Sequence, residues 1–263
     1  MKLAALMTVY NEAKFLEPAL ASVYDHIDDI IIVEGAYQET IRMGKPAHSD
    51  DGTLEKVIEH HKVKSMYFHD SYVDCSGRCC VQSDDSKIHV IVANAESDAQ
   101  QRNIGLEKAK ELGADWLLIV DGDEVYKPYM FKMIHKAMES NIDAYVFSCL
   151  TFVNDFKHYC KQQFPRLFKL HPDTHFTNDN FVSSHGRDWP ELKHGIMDIQ
   201  YYHYAFMKGL ERFEAKKEWW ESRFDEPFHY DWFIENDKIV PESHNIFEYD
   251  GSHPKEIIEK FNV

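Results

Sequence analysis

No stretch of the 263-residue sequence is apolar over the ~18 positions that a membrane-spanning helix needs, so no transmembrane segment is expected. Residues 1–10 hold a lysine and a short apolar run. They lack the long hydrophobic region and small-residue cleavage site of a signal peptide, and they read as a buried first strand. Cysteine is scarce: five residues, an odd number, do not make a disulfide framework, and a reducing, cytoplasmic setting is expected. Cys75, Cys79 and Cys80 cluster near His69 in a polar loop at 69–87, yet their spacing fits no zinc pattern. Positive charge is in deficit, with 29 Lys and Arg against 45 Asp and Glu and a net charge of −16. That disfavours nucleic acid or an anionic membrane as partner through bulk charge. A phosphate-bearing ligand stays open, because a bound divalent cation inverts the local sign. Internal repeats and low-complexity linkers are also missing. The 44% hydrophobic and 28% charged residues are those of an ordinary globular chain with a sizeable core.

What is present centres on residues 115–124, where Trp116, Leu117, Leu118, Ile119 and Val120 run into Asp121, Gly122, Asp123 and Glu124. An uninterrupted apolar run reads as a strand buried on both faces, the central type of a parallel sheet. Carboxylates at its C-terminal end stand where open α/β sheets bind ligands. Two aspartates separated by one glycine supply hard oxygen ligands suited to Mg²⁺ or Mn²⁺. An acidic turn is the bland alternative, since Asp-Gly is a common turn dipeptide.

Periodicity predicts strands at 3–9, 30–33, 63–68, 88–92, 144–150 and 196–204, and helices at 12–24, 54–61, 98–112, 129–139, 208–224 and 254–261. Pro18 either makes the first turn of this helix irregular or marks a helix start near it. Segments 152–159 and 164–170 are expected to pair as a hairpin. The first 120 residues alternate strand and helix and the rest is mixed. The expected architecture is one α/β domain, with residues 1–150 as its nucleotide-binding half and 151–263 as an acceptor-shaping half and C-terminal extension.

Four pieces occur in order: Met7-Thr8-Val9-Tyr10-Asn11-Glu12, Ile30-Ile31-Ile32-Val33-Glu34, Arg102-Asn103, and residues 116–124. Together they resemble the nucleotide-sugar-binding core of family 2 glycosyltransferases of the GT-A fold, over roughly the first 150 residues. Pro165-Arg166-Leu167-Phe168-Lys169 and Tyr202-His203-Tyr204 are similar, more loosely, to later segments of such enzymes. The resemblance implies a single GT-A-type, Rossmann-like domain with a mostly parallel central sheet flanked by helices and a mixed α+β C-terminal half. It implies that Thr8 and Tyr10 flank the nucleobase and that Glu12 approaches the ribose or simply begins the helix. Glu34, standing where an Asp is usual, would accept from the base. Arg102 would face the diphosphate or the base. Asp121 and Asp123 match the family's Asp-x-Asp, with Asp123 on the metal and Asp121 on the ribose or the metal. His203 is the expected distant histidine ligand, with His185 as runner-up. Each has a plainer reading as a strand-end residue, a solvated arginine or a core histidine.

The implied reaction moves a sugar from a nucleoside diphosphate sugar to a hydroxyl of a glycan, lipid-linked or other acceptor, with inversion and with Mn²⁺ or Mg²⁺ as cofactor. Inversion by direct displacement needs a general base. Asp179, Asp188, Glu191 and His185 are the candidates, with Asp188 preferred; loop acids facing water are the alternative. Trp189, Trp219, Trp220, Trp232, Phe228 and Tyr230 are candidates to stack on sugars, although Trp219 and Trp220 also suit packing. Two rivals remain. A nucleotidyltransferase usually has a glycine-rich phosphate loop where this chain has Tyr10-Asn11-Glu12. A non-catalytic carbohydrate-binding protein has no need of the intact Asp121-Gly122-Asp123.

Overall fold

Aliphatic runs dictate the strands of the N-terminal half. The computed structural model describes residues 1–60, 63–68, 86–178, 180–222 and 232–263. Its elements begin with β1 (Leu3–Val9), α1 (Leu16–Tyr24), β2 (Asp29–Glu34), α2 (Gln38–Arg42), α3 (Thr53–His60) and β3 (Val63–Phe68). Next come β4 (Ile88–Val92), α4 (Asp98–Glu111), β5 (Trp116–Ile119), β6 (Glu124–Val125), α5 (Pro128–Met138), β7 (Ala144–Val153) and β8 (His158–Lys169). The chain ends with β9 (His175–Phe176), β10 (Val182–Ser183), β11 (His194–Phe206), α6 (Leu210–Ser222), β12 (Trp232–Glu235), β13 (Lys238–Pro241), β14 (Phe247–Glu248) and α7 (Lys255–Phe261).

Among the described residues ten strands form one sheet in the order β3-β4-β2-β1-β5-β8-β7-β11-β6, with β14 on β8. From β3 to β5 all neighbours are parallel. β8 joins β5 and β7 antiparallel, and β11 runs parallel to β7 and antiparallel to β6. The result is a mixed α/β fold with a large, mostly parallel central sheet and flanking helices. The sheet is continuous across position 150, which falls inside β7.

Alternation along β1 supplies both cores. Leu3, Ala5 and Met7 join the cluster that holds residues of α1 and α5, whereas Ala4 and Leu6 join the one that holds residues of α4. Gly105 lets α4 approach the sheet: a Cβ there would lie 2.2 Å from Leu6 Cδ1. That contact places Arg102, one turn earlier, at the strand ends. No helix of the described residues is long and apolar enough to cross a membrane.

Helix α1 starts at Leu16, near Pro18 as the proline allowed, and Pro18 lies in its first turn, where a missing N–H leaves no helical bond unmade. Two expectations need correcting. The hairpin forms between β7 and β8, and Asn154 in a left-handed conformation (φ 64°) lies in the turn between them. The expected arms at 152–159 and 164–170 instead belong largely to one turn and one strand. The loop after β2 also contains α2, which the periodicity did not show. The Cys75, Cys79, Cys80 and His69 cluster lies outside the described residues.

Candidate functional site

The parallel register aligns three strand ends. Val9 pairs with Glu34 across β1 and β2, and Leu6 with Ile119 across β1 and β5. Residues just beyond these pairs line a cleft of about 880 Å³, at the position where ligands bind in open α/β sheets.

Three carboxylates of the cleft, Asp121, Asp123 and Glu12, and the buried Glu124 next to them each have a cation. Asp121 takes Arg102 at 3.2 Å and Arg166 at 3.0 Å. Glu124, with a fully buried side chain, takes Arg166 at 2.6 Å. Asp123 takes Lys208 at 2.6 Å and His203 at 3.4 Å. Glu12 takes Lys208 at 2.5 Å and Arg212 at 3.5 Å. Burial would push the Asp121 carboxyl up, but the Arg166 and Arg102 guanidiniums outweigh it and hold Asp121 below its ordinary value. Burial likewise opposes ionisation of Asp123, yet Lys208 and His203 hold it well below the usual carboxylate range. For Glu124 burial wins over Arg166 and pushes the carboxyl up to about 7.

β11 delivers the histidine. Its register sets His203 opposite Glu124, and the Tyr204 N–H donates to the Asp123 carbonyl at 3.0 Å. The His203 ring has Thr151 Oγ1 3.3 Å from Nδ1. Burial would lower the imidazole, but the Asp123 carboxylate raises it to about 10. Asp121, Glu124 and His203 present one donor atom each, all within 4.8 Å of one another. Two carboxylates and an imidazole, once a bound cation displaces the ring proton, form a donor set that suits a divalent cation. Two of the expected ligands, Asp121 and His203, are in this group. Glu124 takes the third place, and Asp123 instead faces Lys208 and His203.

Thr8, Tyr10, Glu12, Arg102, Asp121 and Asp123 all line the cleft, and so does His203. Tyr10 donates its hydroxyl to the Pro46 carbonyl at 2.8 Å, with the Arg212 guanidinium 5.7 Å from its ring centre. Glu34 is not brought to the cleft. Its carboxylate is fully buried, accepts from Ser49 N at 2.7 Å and meets His48 at 3.3 Å. It therefore anchors the loop whose Lys45, Pro46 and Asp50 form one wall. Gly122 does permit a close approach, but by the Glu12 side chain, whose Cγ would lie 3.0 Å from an added Cβ. Asn103 is structural: it exchanges hydrogen bonds with the Phe176 backbone at 2.7 and 2.9 Å.

The expected general bases fare differently. His185, Asp188 and Glu191 are exposed, and none is among the described residues lining the cleft. The segment that carries them packs Phe176, Val182 and Leu192 into the cluster shared with α4. The ring of His185 lies 3.6 Å from that of His171. Asp179, Phe228 and Tyr230 lie outside the described residues, as does the side chain of Trp220. Trp189 packs against Phe168 and Phe181, whereas Trp219 and Trp232 line the cleft. Trp219 stacks on Tyr37 at 5.1 Å.

Sequence reasoning named Arg102 but missed the other counter-ions. Arg166, Lys208 and Arg212 are remote from the acids in sequence. Arg166 alone carried a signal, as an arginine inside the otherwise apolar run Pro165-Arg166-Leu167-Phe168.

No protein-family model matches the chain, and no curated protein matches it. Among solved structures it is similar to S. aureus TarS 1–349, at 12% identity and TM-score 0.46, over 83% of this chain and 64% of that one. A structure of the same fragment in complex with UDP matches at 15% identity and TM-score 0.38, over 58% of this chain and 36% of that one. A Desulfovibrio desulfuricans G20 protein named as a nucleotide-diphospho-sugar transferase matches at 11% identity and TM-score 0.39, over 77% of this chain and 82% of that one. The chain thus spans less than two thirds of either TarS structure.

Proposed function

We propose that the chain is a glycosyltransferase that moves a sugar from a nucleoside diphosphate sugar to an acceptor hydroxyl, on a glycan, a lipid-linked sugar or a comparable molecule. The observation that carries this reading is the convergence of Asp121, Asp123 and Glu12 with Arg102, Arg166, Lys208 and His203 in one cleft at the strand ends, with the buried Glu124 paired to Arg166 behind them. A site with matched buried charges at the ends of parallel strands suits a diphosphate better than an apolar ligand.

Within this reading Thr8 and Tyr10 hold the nucleobase and ribose end, and Arg102 and Arg166 orient the diphosphate. Asp121, Glu124 and His203 would hold Mn²⁺ or Mg²⁺, which when bound supplies Lewis-acid stabilisation of charge on the leaving diphosphate. The acceptor proton then goes to a carboxylate of the cleft. Asp50 and Glu211 line it outside the ion-pair cluster and are better placed than Asp188, His185 or Glu191. Direct displacement by the acceptor inverts the anomeric centre.

The test is a hydrolysis and transfer screen of nucleotide sugars with Mn²⁺ and with Mg²⁺. Release of nucleoside diphosphate from at least one sugar nucleotide, lost in Asp121→Asn, is expected. Turnover of nucleoside triphosphates with release of pyrophosphate would replace this reading with a nucleotidyltransferase.

A further inference from the structure

Lys208 stands between β11 and α6, and its ammonium meets Asp123 at 2.6 Å and Glu12 at 2.5 Å. All three side chains are only 6–12% exposed, yet each lines the cleft. An ammonium carries three donors. Its ion-pair partners among the described residues are these two carboxylates, and its side chain also borders the cleft, where a ligand oxygen can reach it.

The position is pinned from both sides. The Met207 carbonyl accepts from Lys14 Nζ at 2.5 Å. Gly209, at φ 99°, turns the chain into α6. One turn on, Arg212 donates to the Tyr10 carbonyl at 2.6 Å. A cation fixed in this way is organised before a ligand arrives, the condition under which electrostatic stabilisation is strongest.

The charge balance points the same way. Glu12, Asp121, Asp123 and Glu124 are four acids, and Arg102, Arg166, Lys208 and Arg212 are four fixed cations within ion-pair distance of them. The cluster is balanced before His203 is counted. An incoming anion therefore does not face unscreened carboxylates, even without a divalent ion.

We propose that Lys208 is a diphosphate-binding residue of this site, with Glu12 and Asp123 acting as the seat that holds its ammonium against the phosphates. Asp123 then works through a lysine, while Asp121, Glu124 and His203 form a separate donor group. The proposal rests on the nucleotide-sugar reading above and adds to it that diphosphate recognition survives without a divalent metal.

The test measures calorimetric affinity in EDTA for UDP, GDP, CDP and ADP and for the matching monophosphates, in the wild type and in Lys208→Met. The wild type should prefer a diphosphate over its monophosphate by roughly ten- to a hundredfold, the range of one hydrogen bond to a charged group. Lys208→Met should lose most of that preference while its monophosphate affinity stays unchanged, and Lys208→Arg should restore part of it. If Lys208→Met does not fold, the double variant Glu12→Gln/Lys208→Met, which removes the opposing charge as well, reads the same ratio. An unchanged preference in the variant that folds overturns the proposal, as does a parallel loss for both ligands. Wild-type binding seen with Mn²⁺ but absent in EDTA also overturns it and leaves the transferase reading standing. No binding of any nucleotide, with or without Mn²⁺, overturns both.

Discussion

The Arg166 guanidinium touches Asp121, Glu124, the Tyr201 hydroxyl and Asn180. Its side chain is 2% exposed and that of Glu124 is fully buried. Removing one partner of a buried pair leaves the other uncompensated, at a cost of about 3–5 kcal/mol. Arg166→Met is therefore expected to lose about that much stability in urea unfolding, and Arg166→Lys less, because it keeps the charge but not the fork. A loss below 1 kcal/mol in Arg166→Met would mean that Glu124 is neutral and needs no counter-ion. The acids of this cluster were legible in the sequence because a buried strand ended on them. Their cations were not, since only the fold brings Arg166, Lys208 and Arg212 to that strand end. His185, Asp188 and Glu191 lie away from the described lining of the cleft for a related reason. Where a loop acid points depends on what its loop packs against, and Asp188 and Glu191 sit on a segment that packs with α4.

Helix α4 illustrates how a glycine can position a site. In an exposed helix, Gly→Ala stabilises by roughly 0.5–1 kcal/mol. At Gly105 the added Cβ would sit 2.2 Å from Leu6 Cδ1 and 3.0 Å from Val33 Cγ2. Gly105→Ala should therefore destabilise by about 1–3 kcal/mol, the usual cost of overpacking, and weaken nucleotide binding as Arg102 shifts with the helix. Denaturant midpoints decide the sign, and a stabilised Gly105→Ala would contradict the packing described. The parallel strands were legible because β1, β2, β4 and β5 are short, mostly aliphatic and almost wholly buried. The hairpin of β7 and β8 was not, because two long strands of mixed character offered several places to break. A left-handed Asn154 settles the turn only once both strands are paired. Helix α6 was anticipated as an amphipathic element. Its position over the cleft follows from Arg212 and Lys208, which periodicity does not see.

The C-terminal segment ties back to the N-terminal half. Phe261 packs on Phe15, and Lys260 pairs with Glu17 at 3.0 Å. His253 fixes the approach to α7: its Nε2 lies 2.8 Å from the Phe156 carbonyl and its Nδ1 2.9 Å from the Tyr204 hydroxyl. Nε2 must donate to the carbonyl, and Nδ1 then accepts from the Tyr204 hydroxyl, because burial favours the neutral ring. Burial lowers its pKa, with the bond to Phe156 acting in the opposite direction. Because the folded value lies below the unfolded one of about 6.5, the unfolded chain takes up its proton first as pH falls. Stability should drop below about pH 6.5 until the folded value is passed. The drop between pH 7.5 and 5.5 should be smaller in His253→Gln, as measured by urea midpoints. An equal drop in both chains would assign the pH dependence elsewhere.

Over the whole chain the acids outnumber the bases to a net charge of −16, yet the cleft balances its own acids with cations. That local balance is what makes a diphosphate ligand compatible with an acidic protein. The direct measurement is calorimetric titration of the chain with UDP, GDP, CDP, ADP and dTDP in the presence of Mn²⁺. Binding of at least one of them at one site per chain, weakened at least tenfold by Asp121→Asn, is the predicted result. A folded chain that binds none of the five, or binds equally well without the Asp121 carboxylate, would contradict it.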